Sequence, residues 1–141
     1  MSKGSEINQV IRPLSVVESL SKYWTPQVIG EVDDAYVKVA KIKGTLAWHS
    51  HPKEDEMFLV LRGQMKIEME DQTTCLKEGE MFVVPKGVRH NPVAEEECWI
   101  LLFERKSTLH TGDNVCEKTC SIGEQLNSFV GKTPHKTRLL R

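Results

Sequence analysis

Between Tyr36 and Glu104 the chain is cut into short apolar runs by turn signals, and this limits what it can fold into. "YVKVAKI" (36–42) alternates and is rich in β-branched residues. "EMFLVLRG" (56–63) is apolar on both faces and stops at a glycine. "QMKIEME" (64–70) alternates strictly, with Met65, Ile67 and Met69 on one face. "EMFVVP" (80–85) and "CWILLFE" (98–104) are two further strands, and "RGQ", "KEGE", "PKG" and "HNP" mark turns. Many short strands at near-regular spacing, with little helix between them, predict a β-sandwich or barrel. Runs that are apolar on both faces need cover on both sides. One face fills a barrel, and the other meets a second sheet or a second subunit.

The flanks read differently. Residues 1–27 form an arm with a short helix in "PLSVVESLSKYW", where Ser15 and Glu18 have the spacing of a capping box and Pro13 stands just before. Residues 28–109 carry the strands. Residues 110–141 are polar and weakly patterned, although "SIGEQLNSF" has the pattern of one or two helical turns. This tail is expected to be solvated, and the chain beyond about Gln125 to be dispensable for the barrel. The end, "GKTPHKTRLLR", holds four basic residues and no acid.

A chain of 141 residues is one domain with a modest core. A formal net charge of -1 gives no support for a nucleic-acid or general membrane partner. "MSKGSEINQV" has no apolar signal-peptide region, and "WILLF" is too short to span a bilayer. The expectation is a soluble, cytoplasmic protein. Cysteines stand at 75, 98, 116 and 120. Cys98, in a strand, reads as a buried thiol. Cys116 and Cys120 read as a reduced, incidental pair.

Against this background "WHSHPKEDE" (48–56) stands out. On an extended segment His49 and His51 share one face, about 7 Å apart, while Trp48 and Ser50 take the other. Glu56 opens the next strand on the face of Phe58 and Val60, and "VPKGVR" can turn His90 back toward the same end of a barrel. Three imidazoles and one carboxylate suit a divalent first-row metal: Fe, Mn, Ni, Co, Cu or Zn. Four protein ligands leave two positions open on an octahedral ion.

Here the chain resembles the cupin superfamily. The first motif of that family reads here as Gly44, His49, His51, Glu56 and Gly63, and the second as Gly79, Pro85, Gly87 and His90. Gly44 is one residue closer to the histidines than usual, and Ala94 stands where asparagine is frequent. The resemblance spans roughly 35–105. Within the superfamily the chain is similar to small single-domain (cupin type-2) proteins likened to the cupin part of mannose-6-phosphate isomerases. It implies an all-β double-stranded β-helix, or jelly-roll barrel. It also implies one metal ion per chain on His49, His51, Glu56 and His90, and a homodimer. Glu54 shares the parity of Glu56 and competes for the carboxylate place, but the spacing from Glu56 to Gly63 fits the motif.

Three functional readings stay open: a metal-dependent enzyme on a small molecule, of dioxygenase or isomerase type; a non-catalytic ligand-binding or sensing barrel; and a structural metal clip. Parity puts Phe58, Val60, Met65, Met69 and Phe82 inside the barrel, a mainly apolar lining suited to a small, partly hydrophobic ligand. Trp24, Trp48 and Trp99 read as packing residues. Arg62 and Arg89 read as solvent-facing charge, and Lys53, Glu54 and Asp55 as the rim of the site.

Overall fold

The computed structural model describes residues 9–114, 119 and 121–131. A short helix α1 (Pro13–Glu18) precedes seven strands. They are β1 (Gln27–Val32), β2 (Ala35–Thr45), β3 (Glu56–Arg62), β4 (Gln64–Met69), β5 (Thr73–Lys77), β6 (Met81–Val84) and β7 (His90–Arg105). A helix α2 (Ile122–Gly131) follows. The all-β expectation holds, and the short helix and the turns predicted in "SIGEQLNSF" are both present.

The long strand β7 organises the sheet. It runs antiparallel to β2 along most of its length, from Thr45↔Val93 to Ala35↔Arg105. On its other side the first part pairs with β4 (Met69↔His90 to Lys66↔Val93), and the second with β3 (Arg62↔Trp99 to Glu56↔Glu104). One strand thus changes partners midway. Register shifts between Ile42 and Gly44, and between Val60 and Arg62, supply the bends that curl the sheet. Gly63 ends β3 at φ +89°, and a Cβ there would lie 3.0 Å from the Glu97 carbonyl oxygen. Only glycine takes both that dihedral and that approach at low cost.

Alternation sorts the side chains into two cores. Inside lie Ala40, Ile42, Phe58, Val60, Met65, Ile67, Met69, Ile100 and Leu102, with Phe82 packed against them. The lining predicted from parity is therefore the observed one. Outside, Val17 and Leu20 pack with Ile29, Val39 and Trp99. The N-terminal segment thus covers part of the second apolar face. Phe103, Met81 and Val83 remain exposed on the rest of it.

Two local expectations change, and one strand carries no sequence signal. Helix α1 begins at Pro13, so Ser15 lies within it, and Arg12 at the N-cap makes no side-chain cap bond. Proline at the first helical position, with φ already fixed, starts this helix without a capping box. Strand β5, "TTCLK", has too little apolar alternation to stand out; it is recruited by pairing with β4. Polar composition also understates how firmly the chain after β7 is attached. Thr108, His110, Thr111 and Gln125 are all buried, and α2 packs on β1, so a cut after Gln125 would divide a docked helix. Cys116, Cys120 and the basic C-terminus lie outside the described residues. Among those residues, no helix is long and apolar enough to cross a membrane.

Candidate metal centre

His49 and His51 sit in the connection between β2 and β3. The segment is less regular than the strand expected for it, and backbone hydrogen bonds fix it nonetheless. His49 and His90 exchange both bonds, N–H to carbonyl oxygen, at 2.9 and 2.8 Å. The amide of Gly87, in the "PKG" turn, donates to the His51 carbonyl at 2.8 Å. Glu56 opens β3 on the inward face shared with Phe58 and Val60.

The four side chains singled out by sequence spacing are thereby brought together, and all are buried. One potential ligand atom from each lies within 4.8 Å of the others. Ring centroids are 4.4 Å apart for His49 and His90, 5.0 Å for His49 and His51, and 5.6 Å for His51 and His90. His51 Nε2 is 3.0 Å from Glu56 Oε1. His90 Nε2 is 3.4 Å from the same oxygen without completing a hydrogen bond. Glu54 is not part of the group, because its carboxylate accepts from Ser107 Oγ at 2.8 Å. Asp55 faces away and accepts from the Lys86 amide.

The ring tautomers are set from behind. Nδ1 of His49 is 2.8 Å from the Ala47 carbonyl oxygen, and Nδ1 of His90 is 2.9 Å from that of Val88. A carbonyl only accepts, so each Nδ1 carries the proton and each Nε2 keeps its lone pair. Both Nε2 atoms are buried without a hydrogen-bond partner. Buried polar atoms are rarely left so, and a ligated ion is one explanation that needs no rearrangement. Burial and the neighbouring His90 push the His49 pKa down to about 4, which keeps the ring neutral. Burial acts most strongly, to lower His51, but the hydrogen bond to Glu56 together with the charges of Glu56, Glu54 and Asp113 outweighs it and the pKa is raised. Burial would raise Glu56, yet His51, His90 and Glu104 together hold it well below the usual carboxylate range. A neutral His49 imidazole beside an ionised Glu56 carboxylate supplies donors of the kind that a divalent ion requires.

A narrow cavity opens from His49 and Glu56 into the barrel. Its walls include Trp24, Ile42, Phe58 and Leu102, and His110 is the one lining residue with an imidazole outside the four-residue group. His110 has no signal in the sequence beyond its residue type. Trp24 belongs to the core, as expected, and also walls the cavity, held by its indole N–H donating to the Lys43 carbonyl at 2.8 Å. Arg62 and Arg89 stay exposed, over the rings of Trp99 and Trp48 respectively.

Comparison with known proteins agrees with this architecture. The family model described as "Cupin domain" matches residues 35–104. The crystal structure of a cupin-2 domain containing protein from Shewanella frigidimarina superposes with a TM-score of 0.68 at 37% identity. The match covers 74% of this chain and 100% of that one. The chain is a cupin. Over 63 residues this cupin is 41% identical to the uncharacterized protein YdbB of Bacillus subtilis, spanning 44% of the chain and 56% of that protein. Over 91 residues it is 31% identical to 3-hydroxyanthranilate 3,4-dioxygenase 2 of Aspergillus fumigatus, spanning 60% of the chain and 47% of that protein. It thus spans about half the length of the curated relatives it matches.

Proposed function

We propose that this cupin holds one divalent transition-metal ion per chain on His49, His51, Glu56 and His90, and acts there on a small, partly apolar molecule. The observation that carries the reading is the pair of buried, unpartnered Nε2 atoms on His49 and His90, each aimed by a backbone carbonyl behind it. A bound ion would supply Lewis acidity, and a redox-active one would supply access to dioxygen. The chain's own residues do the rest. The apolar walls exclude water, and Trp24, Phe58 and His110 line the space beside the four-residue group. The 3-hydroxyanthranilate dioxygenase relative favours an aromatic substrate with adjacent oxygen or nitrogen donors, and dioxygenase-type over isomerase-type chemistry.

Elemental analysis of protein purified without added metal tests the site. One metal per chain is expected, with sub-stoichiometric metal in His49→Ala and His90→Ala. Unchanged sub-stoichiometric binding in all three proteins refutes the site. Oxygen uptake with catechols, hydroxyanthranilates, diketones and keto acids then tests the chemistry. Ligand binding that tracks metal content without turnover would reassign the barrel as a binding or sensing module.

The assembly proposed is a homodimer through the exposed sheet face. Phe103 pairs across strands with Val37 and Met57, and Met57 with Val83. Leu59 pairs with Leu101 and Met81. These form adjoining apolar rows, and contiguous rows of this kind mark interaction surfaces. Cys75 and Cys98 are both free thiols, which fits a reducing compartment and the cytoplasmic placement we propose.

A further inference from the structure

On β2, inward parity belongs to Lys38 as well as to Ala40 and Ile42. Its side chain is fully buried, and its ammonium lies 2.7 Å from Glu104 Oε2, also fully buried. A lysine is almost never buried without a partner, because the desolvated ammonium needs an acceptor. Glu104 stands directly across the β3–β7 ladder from Glu56. Directly opposed side chains on one face have Cβ atoms about 5 Å apart. The interior therefore holds two neighbouring carboxyl groups and, among the described residues, a single buried lysine ammonium. The pairing is nevertheless selective: Lys38 Nζ bonds Glu104, whereas Glu56 Oε1 faces His51 and His90.

Resting on the metal-site reading above, we propose that Glu104 is a guard for Glu56: by engaging the Lys38 ammonium, it keeps that cation off the carboxylate a metal ion needs. A lysine paired to Glu56 would compete with the ion for the same oxygens and would place a positive charge beside it. Glu104 acts through Lys38 and is a positioning residue. Its carboxyl group also lies against Glu56, and burial together with that neighbour pushes its pKa well above the usual carboxylate range.

Cobalt(II) titration of the full chain, followed by visible absorption, decides this. Wild type should bind one cobalt per chain. Glu104→Gln keeps the shape and removes the acid group that holds the ammonium, so Lys38 should turn to Glu56 and cobalt affinity should fall by about 10–100-fold. Adding Lys38→Met removes the competing cation, and the double variant should regain affinity to within about threefold of wild type. A purely structural bridge predicts no such rescue. The proposal is overturned if Glu104→Gln binds cobalt like wild type, or if the double variant stays as weak as the single one. Should the single variant fail to fold, the folded double variant still decides: wild-type affinity supports the guard role, and weak binding overturns it. Failure of wild type to bind cobalt would instead refute the metal site itself, and the guard role with it.

Discussion

Gly112 lies backbone-on-backbone against Ser50, between the two histidines of the first motif. A Cβ at position 112 would collide with the Ser50 carbonyl oxygen and come within 2.7 Å of the His49 ring, and the residue has φ +57°. The contact is reinforced on both sides. Asp113 accepts from the Ser50 amide at 2.9 Å and returns its own amide to the Ser50 carbonyl at 3.0 Å. The Asn114 side-chain Nδ2 donates to the Trp48 carbonyl at 3.2 Å. Residues 112–114 thus strap the back of the histidine segment, although they follow the last strand.

Gly112→Ala should therefore be costly despite its small size. The left-handed backbone alone costs an alanine roughly 1–2 kcal/mol, and the collision adds to it. A fall in melting temperature of roughly 5–10 °C is expected, with weaker metal binding because His49 is displaced. Thermal melts and metal content measured on the same preparation check this. A variant unchanged in both would show that the strap does not support the site.

The exposed sheet face predicts the oligomeric state. Phe103, Met81 and Val83 are between about a third and a half exposed, on strands β7 and β6 that flank β3. Light scattering at micromolar concentration should give twice the chain mass of 16.1 kDa. Phe103→Glu puts a charge in the middle of the face and should yield a folded monomer with its metal retained. A wild-type monomer, or a dimer untouched by the charge, would exclude this face as the interface.

Burial separates the two described cysteines. Cys98 is fully buried, and desolvation pushes its pKa up to about 12, whereas Cys75 is exposed. The thiolate is the reactive form. At pH 8 iodoacetamide should label the Cys75 peptide within minutes and leave the Cys98 peptide unlabelled until denaturant is added. The linkage has a definite sign. Above pH 9 the unfolded Cys98 ionises while the folded one keeps its proton, so stability falls as pH rises toward 12. Equal labelling of both peptides in the native protein would contradict the packing of β7.

What could be read in the sequence follows from periodicity. Alternation in 56–69 shows which side chains enter the barrel, because a strand repeats every two residues and the fold leaves only one inside. The spacing of His49, His51, Glu56 and His90 likewise survives folding, since turns and parity carry it. Lys38 and Glu104 were harder to find. Inward parity was visible for both, but a charged residue in a strand is ordinarily taken to face water. Only the buried 2.7 Å contact of Lys38 Nζ with Glu104 Oε2 shows them meeting inside. His110 and Gly112 were hidden for another reason: their role comes from a long-range contact of a polar segment with no repeat.

Chelation distinguishes a working centre from a structural clip. The inner core, from Trp24 through Leu102, is held by apolar packing across six strands and does not depend on the four metal-site residues. The His49–His90 backbone pair would persist without an ion, because its donors and acceptors are all in the main chain. Metal removal should then leave a folded apoprotein with unchanged far-ultraviolet circular dichroism. Its melting temperature should fall only by what mass action takes away, about 2.7 kcal/mol if free metal had stood at a hundred times its dissociation constant. Readdition should restore the melt within minutes, and His90→Ala should show no response to chelator or metal. Global unfolding on chelation at room temperature would instead make the ion a fold-determining clip, and the case for a substrate at its open positions would fall.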